Sequence, residues 1–270
     1  MSRRRLDAEL VARGLATSRQ HAVDLISARR VTVGGAPATK PTRQVAKSEP
    51  IVVSGPPPRF VGRGGHKLEG ALDAFAIDPT GRHCLDAGSS TGGFTDCLLQ
   101  AGAASVVAVD VGTHQLHERL RQRPEVVVME NSDIRSITPD TFSADPLRND
   151  GFDLVVADLS FISTTSLLRV FAPLLREGGD LIVLVKPQFE AGHHEVSKGK
   201  GIIKDPSIWT RVLHEFIDGA VDAGLLVEDL ALSPITGGRS KHGGNVEFLA
   251  HLHLRETDAQ YWSTTDPEYA

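Results

Sequence analysis

Four chargeable side chains are predicted to lie close together, because each comes at the end or start of a predicted strand or helix. They are Lys67, Asp158, Lys186 and Glu247. Asp158 and Lys186 each directly follow an apolar run that is typical of a strand buried on both faces of a parallel sheet. Lys67 lies near the start of a predicted helix, where the helix dipole disfavours a cation. Glu247 lies near the start of the last predicted strand. Each residue alone has a plain interpretation as a surface or structural charge. Lysines and carboxylates donate, accept or orient protons, so the combination indicates a functional site at one sheet edge.

A glycine-rich turn lies between the first strand predicted for the larger part of the chain, 83–85, and a predicted helix, 94–101. Glycine permits a tight turn and lets a ligand approach the backbone closely. The next apolar run, 106–109, ends at Asp110, and an acid at that point can bind both hydroxyls of a ribose. Strand, glycine turn, helix, strand and acid together form the layout of half a nucleotide-cofactor site.

The type of cofactor follows from the turn's side chains. The dinucleotide pattern G-x-G-x-x-G is not met, because Ser90 stands at its second glycine and the paired glycines come at Gly92 and Gly93. Asp86 would place a carboxylate near the phosphates of a dinucleotide, and it suits a cationic ligand better. The aminopropyl end of S-adenosylmethionine (SAM) is such a ligand, so SAM is favoured. A dinucleotide and a purely structural turn remain the alternatives. Asp133, after a third predicted strand at 126–128, is suited to accept from an adenine amino group.

Composition limits the classes of protein that fit. At 270 residues and 40% apolar, one large or two smaller domains are expected. No apolar run approaches the ~20 residues that span a bilayer, and no signal peptide is recognisable, so we expect a cytoplasmic protein that does not enter a membrane. Cys84 and Cys97 are expected to be reduced and buried, since no C-x-x-C spacing exists. No metal site is expected, because the adjacent His193 and His194 cannot share a helix or strand face.

Charge is unevenly distributed along the chain. Residues 1–63 carry a net charge of +8 and residues 64–270 one of −13, which gives −5 overall. Residues 1–55 predict a small helix-plus-hairpin unit, with one helix ending at Gly14, a second capped by Thr17 or Ser18, and short strands at 31–33, 41–45 and 51–53. Its basic residues near helix ends could contact the phosphates of a polyanion; a solvated basic face is the alternative. These are Arg3, Arg4, Arg5, Arg19, Arg29 and Arg30.

This unit resembles an S4 RNA-binding domain. The matching positions include the Arg5-Leu6-Asp7, Gly14-Leu15, Ser18-Arg19 and Lys40-Pro41 stretches. The resemblance implies binding to structured RNA, often as an appendage of an RNA-modifying enzyme. Three consecutive prolines at 56–58 predict an extended spacer. The predicted organisation is therefore an S4-like domain at 1–55, a linker at 56–63, an α/β domain at 64–255 and a polar, frayed tail at 256–270.

The α/β domain is predicted from alternating apolar runs and amphipathic segments. Further strands are predicted at 152–157, 181–185 and 225–232, and further helices at 165–175 and 208–223. A last strand, 245–252, follows through a hairpin-like loop and should be antiparallel. The segment 190–205 is predicted to be a mobile loop beside the site.

At its motifs this domain resembles the FtsJ/RrmJ group of SAM-dependent RNA ribose 2′-O-methyltransferases, and with the S4 unit the chain is similar to the TlyA (haemolysin A) family. The matching stretches are VGRGGHKL at 61–68, DAG at 86–88, STGGFTD at 90–96, ADLSFIS at 157–163, VKPQFE at 185–190 and GNVEFL at 244–249. Gly62, where a serine is expected, and an elongated loop at 237–244 depart from the family pattern. The resemblance implies a Rossmann-like class I methyltransferase sheet in the order 3-2-1-4-5-7-6, with strand seven antiparallel.

The resemblance also implies roles for individual residues. Lys67, Asp158, Lys186 and Glu247 match the Lys-Asp-Lys-Glu tetrad of the family. Lys186, if neutral, would be the general base for a ribose 2′-OH, and a lysine does this near pH 7 only if burial or a neighbouring cation lowers its pKa. Lys67 would supply that cation, Asp158 would orient Lys186, and Glu247 would hold Lys67 or the target ribose. The implied SAM contacts are Asp86, Gly88, Ser90, Gly92, Gly93 and Phe94 at the methionine end, Asp110 at the ribose and Asp133 at the adenine.

The implied reaction is 2′-O-methylation of a cytidine in 16S or 23S ribosomal RNA within ribosomal subunits, which would influence sensitivity to capreomycin-type antibiotics. Three alternatives stay open. The protein could be a non-catalytic, S4-anchored RNA-binding protein. It could methylate a base, although such enzymes usually carry Asn-Pro-Pro-Tyr-like or cysteine chemistry after strand four, where this chain has Asp158-Leu159-Ser160-Phe161. It could be a membrane-active pore former, which no apolar segment supports.

Overall fold

The computed structural model describes residues 3–16, 19–56, 58–145, 148–199, 201–240 and 243–255. The chain divides into two compact units, residues 1–62 and residues 63–270. The predicted boundaries at 55 and 63 stay predictions. The predicted tail, 256–270, and the predicted caps Thr17 and Ser18 lie outside the described residues.

The first unit combines two helices with short strands. Its elements are β1 (Arg3–Arg5), α1 (Leu6–Ala12), α2 (Arg19–Ser27), β2 (Val31–Val33), β3 (Ala36–Pro37), β4 (Gln44–Ala46) and β5 (Ile51–Val53). β1 pairs with β4, and β2 lies between β3 and β5, all antiparallel. Apolar side chains of both helices, among them Leu6, Leu10 and Ile26, are buried against Val31 and Val45. The predicted helices and hairpin strands are present, while the pairing of the arginine run as a strand was not foreseen.

The second unit is an α/β domain. Its helices are α3 (Gly64–Ala74), α4 (Gly93–Gln100), α5 (Glu118–Arg121), α6 (Leu168–Phe171), α7 (Pro187–Glu190), α8 (His193–Lys198) and α9 (Pro206–Asp222). Its strands are β6 (His83–Ala87), β7 (Ser105–Val109), β8 (Val126–Met129), β9 (Phe152–Ala157), β10 (Leu175–Val185), β11 (Leu225–Leu232), β12 (Gly237–Ser240), β13 (Gly243–Asn245) and β14 (Phe248–Leu254).

Seven of these strands form one sheet in the order β8-β7-β6-β9-β10-β14-β11. The pairs from β8 to β10 are parallel, and β14 runs antiparallel to both β10 and β11. Numbered along this domain, the order is 3-2-1-4-5-7-6 with an antiparallel seventh strand, as expected. The core strands β7 and β9 are buried at every position, which explains their uninterrupted apolar sequence.

Three local predictions were wrong. The helix predicted at 165–175 is broken into a short α-helix between two 3₁₀ turns, and the second turn contains Pro173, which lacks the N–H that a continuing helix needs. The last strand begins at Phe248 rather than at residue 245, because β12 and β13 form a separate hairpin before it. The segment 190–205 was predicted to be a mobile loop, but it contains the helix α8; its mobility stays a prediction.

The main apolar cluster of the domain joins helix residues to strand residues of the sheet. Phe171, Phe216 and Val212 belong to one continuous apolar cluster with the strand residues Val155 and Val183. Both cysteines are buried and free, as predicted. Among the described residues, every helix is too short or too polar to span a lipid bilayer.

Candidate active site

The four predicted residues converge at the carboxyl edge of the sheet. Lys67 lies in the first turn of α3, Asp158 follows β9, Lys186 follows β10, and Glu247 directly precedes β14. Nζ of Lys67 lies 3.0 Å from Oδ2 of Asp158 and 2.7 Å from Oε2 of Glu247. The other carboxylate oxygen of Asp158 pairs with Lys186. Asp158 therefore bridges two lysines that lie far apart in the sequence.

Lys186 is held in one position by several acceptors. Its Nζ donates to the carbonyl oxygen of Leu159 at 2.6 Å and to Oγ of Ser160 at 3.4 Å, in addition to its pair with Asp158. The ring centre of Phe189 lies 5.7 Å from the same nitrogen. Only 3% of Lys186 is exposed. The amine is thus fixed beside the cavity instead of sampling the rotamers of a surface lysine.

In this cluster, neighbouring opposite charges shift the pKa values of Lys67 and Asp158 toward their charged forms. Burial opposes a charge on Lys67, but the carboxylates of Asp158 and Glu247 outweigh it and raise the pKa of Lys67 above its ordinary value. Burial acts to raise the pKa of Asp158, yet the charges of Lys186 and Lys67 outweigh it and lower that pKa. Lys67 is therefore protonated and Asp158 ionised near neutral pH.

The hairpin of β12 and β13 encloses Glu247. A Cβ at Gly237 would collide with the carboxylate of Glu247, so the absence of a side chain at 237 lets this acid reach Lys67. Asn245 anchors the neighbouring wall, accepting from the Ile203 N–H and donating to the Gly201 carbonyl, both at 2.9 Å. The elongated loop noted in the sequence therefore positions a member of the cluster.

The glycine turn after β6 has the conformation that its sequence predicts. Gly88 has φ of +84°, and a Cβ there would lie 2.8 Å from the Leu159 side chain. Gly92 has φ of +93° and precedes the first residue of α4, Gly93; a Cβ at Gly92 would collide with Leu120. These are backbone conformations and approaches that glycine alone makes without strain. Phe94, in the first turn of α4, is buried and lines the cavity beside the lysines, as does Gly93.

Asp86 lies behind this turn and not on a cavity wall. It is fully buried, and its Oδ2 accepts from the N–H of Thr95 at 2.9 Å and from Oγ1 of Thr95 at 2.6 Å. Its Oδ1 is buried without a hydrogen-bond partner among the described residues. Burial, opposed by the Thr95 donors, raises the pKa of Asp86 to about 7. Asp86 thus ties α4 to β6, and its predicted contact with a cationic ligand stays a prediction.

Asp110 and Asp133 line a cavity of about 530 Å³, called here the second cavity to distinguish it from the one that contains the lysines. Oδ2 of Asp110 accepts from the N–H of Ser90 at 2.8 Å, and Oδ1 accepts from that of Gly112 at 2.7 Å, which fixes the carboxylate at the end of β7. Asp133 is engaged by the Arg135 side chain and backbone N–H, and these hydrogen bonds lower its pKa to about 2. An adenine amino group would have to share Asp133 with Arg135.

The two cavities share a wall. The first, of about 590 Å³, contains Lys67, Lys186 and Glu247. Their common lining residues are Gly88, Ser90, Asp158, Ser160 and Phe161. A ligand lying in the second cavity would therefore reach the lysine cluster over Gly88 and Asp158.

Sequence reasoning missed the contributions of Ser160, Phe161 and Phe189. Phe161 is 91% exposed and has φ of +65°, a rare conformation for a bulky residue. Its ring lies 5.3 Å from that of Phe189, and both line the first cavity. The only sequence signal was an aromatic residue directly after the Asp-Leu-Ser run, where a core residue would have been equally plausible.

The predicted RNA-contacting arginines have different partners. Arg3 pairs with Glu49, Arg4 with Glu9, and Arg5 and Arg19 with Asp7, while each of these four side chains is at least 44% exposed. The Arg5 hydrogen bond, opposed by burial, holds the pKa of Asp7 at about 2. Each of these four guanidinium groups therefore pairs with a buried or half-buried carboxylate on one side, while its other side is exposed to solvent.

Arg29 and Arg30 complete the predicted set. Arg30 donates to the carbonyl oxygens of Ser54 and Pro56 at 2.7 and 2.5 Å, so it fixes the start of the proline segment. Arg29 is exposed, and in the part of the chain that the structure describes its side chain has no ion pair or hydrogen bond. Of the predicted six, Arg29 has the cation most available to a phosphate.

Comparison with known proteins gives this arrangement its family. A family model of FtsJ-like methyltransferases matches residues 60–251, and one of S4 domains matches residues 4–51. The chain belongs to the FtsJ-like methyltransferase family. This FtsJ-like chain is 45% identical to the 16S/23S rRNA (cytidine-2′-O)-methyltransferase TlyA of Mycobacterium tuberculosis over 94% of its own length and 92% of the relative's.

Two further relatives of the FtsJ-like chain carry a different name. Hemolysin A of Brachyspira hyodysenteriae is 38% identical over 92% of this chain and 99% of that protein. A solved structure of a Streptococcus thermophilus protein, also named as a hemolysin, has a TM-score of 0.73 at 39% identity and covers 95% of this chain and 90% of that one. The same two-unit family thus bears both names.

Proposed function

We propose that this protein transfers a methyl group from SAM to a ribose 2′-OH of ribosomal RNA. The observation that carries the proposal is the bridging of Lys67 and Lys186 by Asp158 on the wall that separates the two cavities. This arrangement places a fixed amine beside the junction where a methyl donor and an acceptor would meet.

The second cavity fits the adenosine of SAM. The Asp110 carboxylate is held by two backbone N–H groups and remains on the wall, as binding of ribose hydroxyls requires. Gly88 lines both cavities, and its missing side chain lets the Asp158-Leu159 segment approach the glycine turn closely. The pKa of Asp86 is about 7, so a cationic amino or sulfonium group nearby would favour its ionised form, whose Oδ1 has no hydrogen-bond partner among the described residues. When bound, SAM supplies an electrophilic methyl group.

Each member of the lysine cluster then has a distinct task. A neutral Lys186 amine has two N–H groups, which it would donate to the Leu159 carbonyl and to Asp158, and its lone pair would accept the proton of the target hydroxyl. Asp158 orients this amine and stabilises it once it has become an ammonium. Lys67, kept protonated by Asp158 and Glu247, supplies a fixed positive charge toward the developing alkoxide. No metal ion is needed for this displacement.

The RNA substrate is proposed from the S4 unit and the relatives. The +8 charge of residues 1–63 and the open edges of its arginines suit a phosphate backbone. The M. tuberculosis relative is named for cytidine 2′-O-methylation of 16S and 23S rRNA, and it matches across both units. We infer a cytidine of 16S or 23S rRNA, presented in a ribosomal subunit in the cytoplasm, with an effect on sensitivity to capreomycin-type antibiotics.

The test is methyl transfer from labelled SAM to purified 30S and 50S subunits, comparing wild type with Lys186→Ala. Label at a position that resists alkaline hydrolysis, and that is absent with the variant, is the expected result. Label that leaves the chain alkali-sensitive would indicate base methylation and contradict the assignment of the lysine cluster.

Two other functions fit specific observations less well. A non-catalytic RNA-binding protein would have no need for an intact lysine and carboxylate cluster; it would bind both SAM and subunits without transferring label. The hemolysin name suggests pore formation, and liposome leakage at micromolar protein would reveal it. Neither function accounts for the two joined cavities.

A further inference from the structure

Three of the five residues that line both cavities belong to one segment, residues 158–165, called here the shared loop. It follows β9 directly. Asp158, Ser160 and Phe161 line both cavities, while Leu159 lines the second. The conformation of this loop therefore sets how a ligand in one cavity meets a ligand in the other.

The near end of the shared loop is fixed by Lys186. This residue contacts the Asp158 carboxylate, the Leu159 carbonyl and the Ser160 hydroxyl. Phe189 packs on Phe161 at the middle of the loop. These contacts belong to the site already described.

The far end of the loop is fixed by a residue that the mechanism does not use, Glu190. Its Oε2 accepts from Oγ of Ser163 at 2.6 Å and from Oγ1 of Thr165 at 2.9 Å, and its Oε1 accepts from the Thr164 N–H at 2.6 Å. One half-buried carboxylate thus holds three consecutive residues. The hydroxyl of Thr164 donates to the Leu184 carbonyl of β10 at 3.0 Å, so the same turn is also fastened to the strand.

Glu190 and Lys186 lie at the two ends of one short helix, α7. Lys186 precedes α7 and Glu190 is its last residue, with the Glu190 N–H donating to the Lys186 carbonyl at 3.1 Å. Only one helical turn separates the two residues. Lys186 therefore contacts the near end of the shared loop while Glu190 contacts its far end. Loss of the Glu190 carboxylate would remove three hydrogen bonds from the far end, where the Thr164 bond to Leu184 would remain, and would leave Lys186 in place after β10.

We propose that Glu190 is a positioning residue for methyl transfer, which fixes the shared loop so that the two cavities meet in a productive geometry. This inference rests on the proposed function. The Glu190 carboxylate binds Ser163, Thr164 and Thr165, none of which lines either cavity, and Glu190 contacts the lysine cluster only through its backbone N–H at the Lys186 carbonyl. Its effect should therefore fall on turnover and not on the affinity for SAM.

The variant to test is Glu190→Gln, which keeps the shape but replaces one accepting oxygen by an NH₂ group. We expect kcat on ribosomal subunits to fall about ten- to a hundredfold, as a small misplacement of reacting groups does, while the SAM dissociation constant stays within about threefold. Hydrogen exchange of the peptide covering residues 158–168 should become faster. Glu215→Gln, on an exposed part of α9 where Glu215 pairs with Arg211, is the charge-matched control and should change none of these.

A cycle of variants separates positioning from general support of the fold. Ser163→Ala with Thr165→Val removes two of the three donors, and adding Glu190→Gln to this pair should lower kcat by much less than it does in wild type. Full additivity, unchanged kcat in Glu190→Gln, or a parallel loss of SAM affinity and melting temperature would each overturn the proposal.

The exchange measurement also separates the two proposals. If wild type methylates neither subunit, the proposed function fails, and hydrogen exchange at residues 158–168 still decides whether Glu190 holds the loop. Exchange in this peptide that is the same in wild type and Glu190→Gln overturns the inference in either case.

Discussion

The carboxylate of Asp158 uses both its oxygens on lysines: Oδ2 lies 3.0 Å from Nζ of Lys67, and Oδ1 pairs with Lys186. Its position after β9, between α3 and the end of β10, makes this possible. The residue is consequently a structural link between two elements as well as a candidate part of the active site, and its substitution should affect both properties.

Asp158→Asn should abolish methyl transfer and destabilise the fold. Leaving two buried lysines with a neutral partner costs about 3 kcal/mol, as for other broken buried ion pairs. Because the folded-state pKa of Asp158 lies below its ordinary 3.8, the stabilisation is present above about pH 4 and is lost as pH falls through the folded value. Urea unfolding of both proteins from pH 3 to pH 8 measures the difference, which should be constant above pH 5 and shrink below pH 4. A difference that grew toward acid pH would contradict the ionised bridge.

Asp86 should make stability fall between pH 4 and pH 7. Its pKa is raised from 3.8 to about 7 by burial, so the folded state holds a proton that the unfolded state has released. The free energy of unfolding therefore declines as pH rises from about 4, by about 4 kcal/mol for three pKa units at most, and levels above pH 7.

Asp86→Asn should remove this slope, because the amide carries no titrating proton and its oxygen still accepts from Thr95. The two proteins are compared by urea unfolding in half-unit pH steps. Parallel curves for wild type and variant would show that Asp86 is not the group responsible.

Gly92→Ala should weaken SAM binding and lower the melting temperature. The substitution combines a left-handed φ of +93° with a collision against Leu120 and a 2.8 Å approach to Leu116, so either these two side chains or the turn before α4 must shift. Gly178→Ala is the matched control, since its φ is +69° but no atom lies within 4 Å of the added Cβ. In both variants the left-handed backbone conformation of an alanine should lower the free energy of unfolding by about 1 kcal/mol. Calorimetric titration with SAM should detect a loss of SAM affinity in Gly92→Ala alone. Equal losses in both would assign the effect to backbone strain.

Arg29→Gln should weaken RNA binding without changing stability. An exposed guanidinium without a protein partner contributes through phosphate contact, so the affinity for ribosomal subunits should fall and the salt dependence should decrease by about one counterion. Arg13→Gln is the contrasting variant. Arg13 pairs with Glu9 and donates to the carbonyls of Glu49, Ala46 and Lys47, and its loss should lower the melting temperature. Filter binding at several salt concentrations and thermal melts distinguish the two; an unchanged salt slope in Arg29→Gln would exclude the contact.

The sequence by itself determined the central strands and the sheet edge at which the candidate site lies. Uninterrupted apolar runs predict buried parallel strands, and the carboxyl ends of such strands meet at one edge. Asp158 and Lys186 were therefore expected to be neighbours, and the glycines at 88 and 92 were expected in a turn that only glycine adopts without strain. Local periodicity and backbone sterics are sufficient for these statements.

Tertiary structure alone decided which side chains pair. The bridge at Asp158, the burial of Asp86 beneath its own turn, the hairpin that encloses Glu247 and the three donors on Glu190 all join residues from different elements. Such contacts depend on the register of neighbouring strands and on the paths of the loops between them, and no short-range pattern encodes either. The same holds for the arginines of the first unit, because identical side chains take different partners: Arg5 pairs with Asp7, while the exposed Arg29 has no ion pair among the described residues.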